Sequence, residues 1–219
     1  MNTWHVTLTF TDPLLGTASA DPEIYRRFIQ SKAPDPPDGG DVEDEAAALP
    51  DPREEYERTV TVFPRADDGR PFLHDYQIKG FFKDAASMLG RTRTEPSADL
   101  RAFKKVIDGL VFVTPRRLPL ALPEGGEVQI LERPLRASTA QGERVALAAS
   151  ESVPPGTTLA FDLTWFDLKK PKNGSAIDLG ELLEDWLQYG RLRGLGQWRN
   201  SGKGRFAYAI KTGSESASA

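Results

Sequence analysis

The chain has 219 residues, a formal net charge of −4, two histidines and no cysteine. That length buries a hydrophobic core without covalent staples, and the missing cysteines exclude disulfides, thiolate zinc sites and cysteine nucleophiles. No apolar run approaches the roughly 18 residues of a membrane span, and Met1 to His5 lack the layout of a secretion signal, so a cytoplasmic protein without a membrane partner is expected.

His5 to Phe10 alternates as a strand, with Val6, Leu8 and Phe10 on one face. Asp21-Pro22 opens a short helix whose buried side is Ile24, Phe28 and Ile29. Between Asp35 and Arg58, ten acids face two bases, a net −8 that leaves +4 for the rest of the chain. The same stretch carries Pro34, Pro36, Pro37, Pro50, Pro52 and Gly39-Gly40, which predicts a solvated, mobile acidic insertion over about 34–58. Thr59 to Phe63 reads as a short strand and Asp67-Asp68-Gly69 as a turn. Asp75 to Leu89 has the helical spacing that buries Ile78, Phe82, Ala85 and Leu89. Ser97 is placed to cap a second helix that runs to Asp108 and is closed by Gly109.

Strands are expected at Leu110 to Val113, Val128 to Leu131, Arg144 to Ala148, Leu159 to Phe166 and Arg205 to Ile210. Asp178 caps a helix carrying Leu182, Leu183, Trp186, Leu187 and Tyr189, and residues 212–219 form a small polar tail expected to be disordered. Strand-helix-strand order recurs in both halves. The fold class is therefore α+β, with a ferredoxin-like or RRM-like unit, single or duplicated, in one domain over 1–211.

The richest functional signal is Leu195-Gly196-Gln197-Trp198-Arg199-Asn200-Ser201-Gly202-Lys203-Gly204-Arg205-Phe206. Glycines let backbone come close to a partner, and Arg199, Lys203 and Arg205 supply charge for phosphate-like oxygens. From Trp186 to Lys211 there are six cations and no acid, so basic charge gathers here despite the negative total. The bland alternative is a glycine-rich turn between a helix and the last strand. Trp198 is placed either to stack on a base or to pack as a half-buried indole.

Three segments, in order, resemble the RAMP superfamily, the repeat-associated proteins of CRISPR systems. Phe72-Leu73-His74-Asp75-Tyr76-Gln77-Ile78-Lys79-Gly80 after Gly69-Arg70-Pro71 is similar to its strand-helix motif, with His74-Asp75 replacing a Pro-Gly and Tyr76-Gln77 replacing serines. Ser152-Val153-Pro154-Pro155-Gly156-Thr157 resembles the strand after its thumb hairpin, and the loop from Leu195 resembles its glycine-rich loop at Gly196, Arg199, Gly202, Gly204 and Arg205. The closest shape is the backbone subunit of type III effector complexes, a ferredoxin-like palm with a β-hairpin thumb. The resemblance implies palm contacts to nucleic acid by Lys79, Lys83, Arg199, Lys203 and Arg205, and a thumb at about 132–150 bearing Arg133, Arg136 and Arg144. It also implies single-stranded RNA or DNA as ligand, and a homo-oligomer or a subunit of a multiprotein complex, read through the backbone rather than base edges.

Some relatives cleave RNA with a loop aspartate; aligned on Gly69-x-Pro71, that position falls near Thr59, with Glu57 and Glu55 the nearest acids upstream. Others use a histidine, for which this chain offers His5 on a strand and His74 at a helix start. Asp67-Asp68 with Asp75 could hold Mg²⁺, but these residues are first a turn and a helix cap. The expectation is a non-catalytic nucleic-acid-binding protein without metal or cofactor. A RAMP-type endoribonuclease is the first alternative; the second is a phage or prophage interaction protein acting on a CRISPR or other defence complex or on single-stranded DNA.

Overall fold

The computed structural model describes residues 1–21, 23, 24, 27, 49, 60–92, 96–139, 142–169 and 177–212, with the side chains of 135–139 and 142–146 left out. Most of the first helix, most of the acidic insertion and the tail from 213 lie outside the described residues. Ile24, expected on a buried face, is instead 56% exposed.

The main sheet is built on β1 (Asn2–Phe10), which pairs antiparallel with β10 (Thr158–Trp165) on one side and β11 (Phe206–Thr212) on the other. Beyond β10 come β6 (Val111–Thr114) and β7 (Arg117–Ala121), both antiparallel to it, and β5 (Phe72–His74) pairs with β7. Pairing sets Val6 opposite Phe161 and Leu8 opposite Leu159, so one face of the sheet is continuously apolar. Two helices cover that face: α1 (Asp75–Leu89), with Ile78, Phe81 and Phe82 buried, and α3 (Leu179–Arg193), with Leu182, Leu183 and Trp186 buried. The order β11-β1-β10-β6/β7, with a helix after β1 and after β10, is the ferredoxin-like arrangement. The described residues form one such unit, not two.

The second sheet has no share in that layer. Its centre is β9 (Gly142–Val153), which pairs with β8 (Gln129–Thr139) as a long hairpin in register from Gln129–Ser152 to Thr139–Gly142. At its base β9 also meets β2 (Leu14–Leu15) and, in parallel, β4 (Thr61–Val62), which continues to β3 (Ala18–Ser19). The hairpin spans the segment expected as a thumb.

Two expectations change. The helix from Ser97 to Asp108 is broken: Pro96–Asp99 is a 3₁₀ turn, Ala102 adopts φ 52°, and α2 runs Phe103–Leu110 with Gly109 inside it. Ser97 is not a cap but a buried acceptor, its Oγ taking a hydrogen bond from Trp186 Nε1 at 2.8 Å. Arg117–Ala121 is a strand despite Pro119, because Leu118 and Leu120 alternate into the core while Arg117, Pro119 and Ala121 face out. Asp178 does cap α3, accepting from Gly180 N at 2.7 Å.

Candidate functional site

The glycine-rich loop joins α3 to β11 at the junction of the two sheets. It closes on itself where Leu195 N donates to Gly204 O at 2.9 Å, and it is tied to the chain before β2 where Gly204 N donates to Pro13 O at 2.9 Å. A Cβ on Gly204 would lie 1.9 Å from Leu195 O, with φ at +72°, so this glycine serves the loop's own closure. Gly196 likewise packs against Leu14 and Leu15 of β2, whereas the nearest neighbour of Gly202 is the Arg205 guanidinium. The approach of backbone expected at these glycines is thus largely spent inside the protein, at Gly196 and Gly204 above all.

Gln197, not singled out in the sequence, is the anchor. Its amide nitrogen lies within hydrogen-bond reach of Gly16 O, of Thr61 Oγ1 at 2.5 Å and of Ser150 Oγ at 2.9 Å, three acceptors shared by its two N–H bonds, and Thr61 and Ser150 hydroxyls are 2.7 Å apart. This holds the loop to β4 and β9. The signal was its place next to Trp198, in a position where a small residue would have sufficed for a turn.

Around the 3₁₀ turn Arg199–Ser201 the structure gathers Arg133, Arg193, Arg199 and Arg205. Arg133, at the hairpin base, places its guanidinium 4.1 Å from the Trp198 ring centre and donates from Nη1 to Ser201 Oγ at 2.9 Å. Arg199 Nη1 lies 2.6 Å from Asp84 Oδ2, and Arg193 Nε reaches the same oxygen at 3.3 Å while its Nη1 donates to Asn200 Oδ1 at 2.8 Å. Arg205 Nε donates to Leu192 O at 3.0 Å and stays exposed. Lys203 is half-exposed and meets no acidic partner among the described residues.

Lys79 and Lys83 do not join this group. They project from α1 toward α2, where Lys83 Nζ pairs with Asp108 Oδ1 at 2.5 Å and Lys79 Nζ donates to Asp108 O at 3.1 Å beneath the Phe112 ring. Burial pulls the Lys79 ammonium below its ordinary pKa, against the opposing pull of Asp108. The side chains of Arg136 and Arg144 lie outside the described residues.

Between α1 and the loop is a cleft of about 210 Å³ lined by Thr17, Leu73, Gln77, Gly80, Phe81, Asp84, Leu195, Gly196 and Arg199. Gly80 sits mid-helix, and a Cβ there would meet nothing within 4 Å. Its absence of a side chain is not needed by the protein's own packing.

Neither histidine stands in this cleft. His5 Nδ1 is 2.9 Å from Asp162 Oδ1 across β1 and β10 on the face away from the helices. His74 is buried at the start of α1, its backbone N donating to Gln77 Oε1 at 2.8 Å and its ring stacked 4.9 Å from Tyr76. Burial first, then Arg116 and Arg117, lower its pKa to about 4, so it is neutral at physiological pH. Thr59, Glu55 and Glu57 lie outside the described residues. Among the described residues no three His, Asp or Glu side chains cluster as a cation site requires, and no helix is long and apolar enough to cross a membrane.

Neither a sequence family nor a curated protein matches the chain. Solved structures do. A chain of the type III-B Cmr-beta bound to cognate target RNA, determined by cryo-EM, superposes with a TM-score of 0.52 at 13% identity, covering 96% of this chain. This chain spans 60% of the length of that one. A chain of a type IV-B CRISPR complex aligns over 99% of this chain and 92% of its own, at 10% identity and a TM-score of 0.47. The protein has an α+β, ferredoxin-like fold, shared with that chain of the type III-B Cmr-beta.

Proposed function

We propose that the chain binds single-stranded nucleic acid, RNA first, as a non-catalytic RAMP-type subunit that repeats along the strand or sits within a multisubunit ribonucleoprotein. The observation that carries this reading is the contact between Arg133 and Trp198. It unites the hairpin base with the glycine-rich loop, 65 positions later in the chain, in one cation-rich surface at the sheet junction. Five cations, Arg133, Arg193, Arg199, Lys203 and Arg205, lie on or beside the loop, two of them, Arg193 and Arg199, paired with the carboxylate of Asp84. Cations fixed by neighbouring backbone and side chains suit phosphates at regular spacing, and they contact the strand without reading base edges. The proposed protruding element is the β8–β9 hairpin, placed to separate nucleotides or to meet the next subunit.

The placement of His5 and His74 supports binding without cleavage, because one is hydrogen-bonded to Asp162 on an exposed strand face and the other is buried and neutral. The test is to purify the protein from cells without nuclease treatment and to type the copurified nucleic acid. Ribonuclease-sensitive strands of stepped length are expected. Protein free of nucleic acid that instead captures a subunit of a defence complex would favour the interaction-protein alternative, and material sensitive only to deoxyribonuclease would move the ligand to single-stranded DNA.

A further inference from the structure

Trp198 is out of place in an ordinary turn. It is one of two non-glycine residues with positive φ among the described residues, at 55°, a backbone region that large side chains rarely occupy. Such a conformation persists only where the surroundings over-determine it, and they do so here. On one side Gln197 is fixed by Gly16, Thr61 and Ser150; on the other, Ser201 N donates to Trp198 O at 2.9 Å. The indole does not enter the core in return. It remains half-buried, and the guanidinium that lies over it, 4.1 Å from the ring centre, belongs to Arg133, itself held by Ser201 Oγ.

A strained, pinned ring with one face supported by a cation has the attributes of a stacking platform. The fixed backbone means that little side-chain freedom is lost when a planar group settles on it. The supporting guanidinium fixes the ring's tilt. Lys203 and Arg205 follow it in the same loop and supply charge for the phosphates of the strand. Arg133, expected from the family resemblance as a thumb contact to the strand, also lies over the ring.

We infer that Trp198, pinned by Gln197 and backed by Arg133, stacks on an unpaired nucleobase of the bound strand. This rests on the reading of the chain as a single-strand binder and adds to it a contact that phosphates cannot make. Because every base has a π-face, the contact favours bases over their absence and does not select among sequences.

The experiment compares a short oligouridylate with a strand of the same length and charge that lacks its bases, each titrated against the full chain. The variants are Trp198→Phe, which keeps a ring, and Trp198→Gly, which removes it and suits the positive φ so that the loop keeps its course. The wild type is expected to bind the base-bearing strand roughly 5- to 150-fold more tightly than the abasic one, with tryptophan fluorescence quenched on binding. Trp198→Phe should retain most of that preference and lose the quenching. Trp198→Gly should bind both strands at the abasic level, with its salt dependence unchanged because no phosphate contact is removed. Equal binding of the two strands by the wild type, or a preference that survives Trp198→Gly, overturns the stacking role while leaving single-strand binding intact. Failure of the wild type to bind either strand overturns both.

Discussion

Asp84 holds two arginines with one carboxylate oxygen, and replacing it with Asn tests whether that carboxylate competes with an incoming phosphate. Arg199 and Arg193 lie 2.6 and 3.3 Å from Oδ2, and the three side chains are 27%, 25% and 22% exposed for Asp84, Arg199 and Arg193. Charge-assisted hydrogen bonds of this kind contribute about 1.5–3 kcal/mol each, and Asn retains part of each by accepting through its carbonyl. A stability loss of about 1–2 kcal/mol follows, readable in urea unfolding. Binding moves the other way. Removing one negative charge about 8 Å from a bound phosphate changes the interaction by ~2 kcal/mol at an effective dielectric constant of ~20, roughly halved by physiological salt. Asp84→Asn should therefore bind single strands about fivefold more tightly near physiological ionic strength, and more so at low salt, in an anisotropy titration. Weaker binding at every salt concentration would refute the reasoning and make Asp84 a residue that positions Arg199 for its ligand.

Two glycines should behave oppositely. Gly204→Ala forces a Cβ to within 1.9 Å of Leu195 O at φ +72° and should cost about 3 kcal/mol or more, seen as a large drop in the urea midpoint, whereas Gly80→Ala enters open space in a helix interior and should stabilise by about 1 kcal/mol. His74, with a folded pKa near 4 against 6.5 unfolded, favours the folded state fully above pH 6.5 and loses that contribution as pH falls toward 4. The wild type should accordingly lose up to about 3 kcal/mol more than a His74→Gln variant across that window, as measured by unfolding at each pH. Labelled single-stranded RNA should stay intact in the presence of the protein with Mg²⁺ or Mn²⁺; cleavage that disappears on substitution of Glu57 or His74 would reassign the chain to the endoribonucleases.

What the sequence made legible follows from periodicity and caps. Val6, Leu8 and Phe10 alternate because β1 is an interior strand of the sheet with one covered face, and Ile78, Phe82 and Ala85 recur because α1 lies on it. The glycine-rich loop was visible because its backbone needs positive φ at Gly196, Gly202 and Gly204. Long-range pairing was not visible. Nothing local tells that Ser97 will sit under Trp186, 89 positions away, or that Gln197 will reach Thr61 and Ser150. Lys79 and Lys83 were expected with the loop's cations from the family resemblance, which does not give the rotation of α1 that turns them to Asp108 and turns Gly80 and Asp84 to the cleft. Arg117–Ala121 was hidden by Pro119, since strand propensity gives no credit for a residue whose missing N–H happens not to be needed.

The central claim is that the cations around the glycine-rich loop hold a nucleic-acid strand by its phosphates. The most direct measurement is the affinity for a short single-stranded RNA over a series of salt concentrations, for the wild type and for a variant in which Arg199, Lys203 and Arg205 are all alanine. The wild type should lose affinity linearly in log–log coordinates, and the variant should bind more weakly with a slope flatter by about 0.7 per phosphate contact removed. The same affinity and the same slope in both proteins would contradict the account.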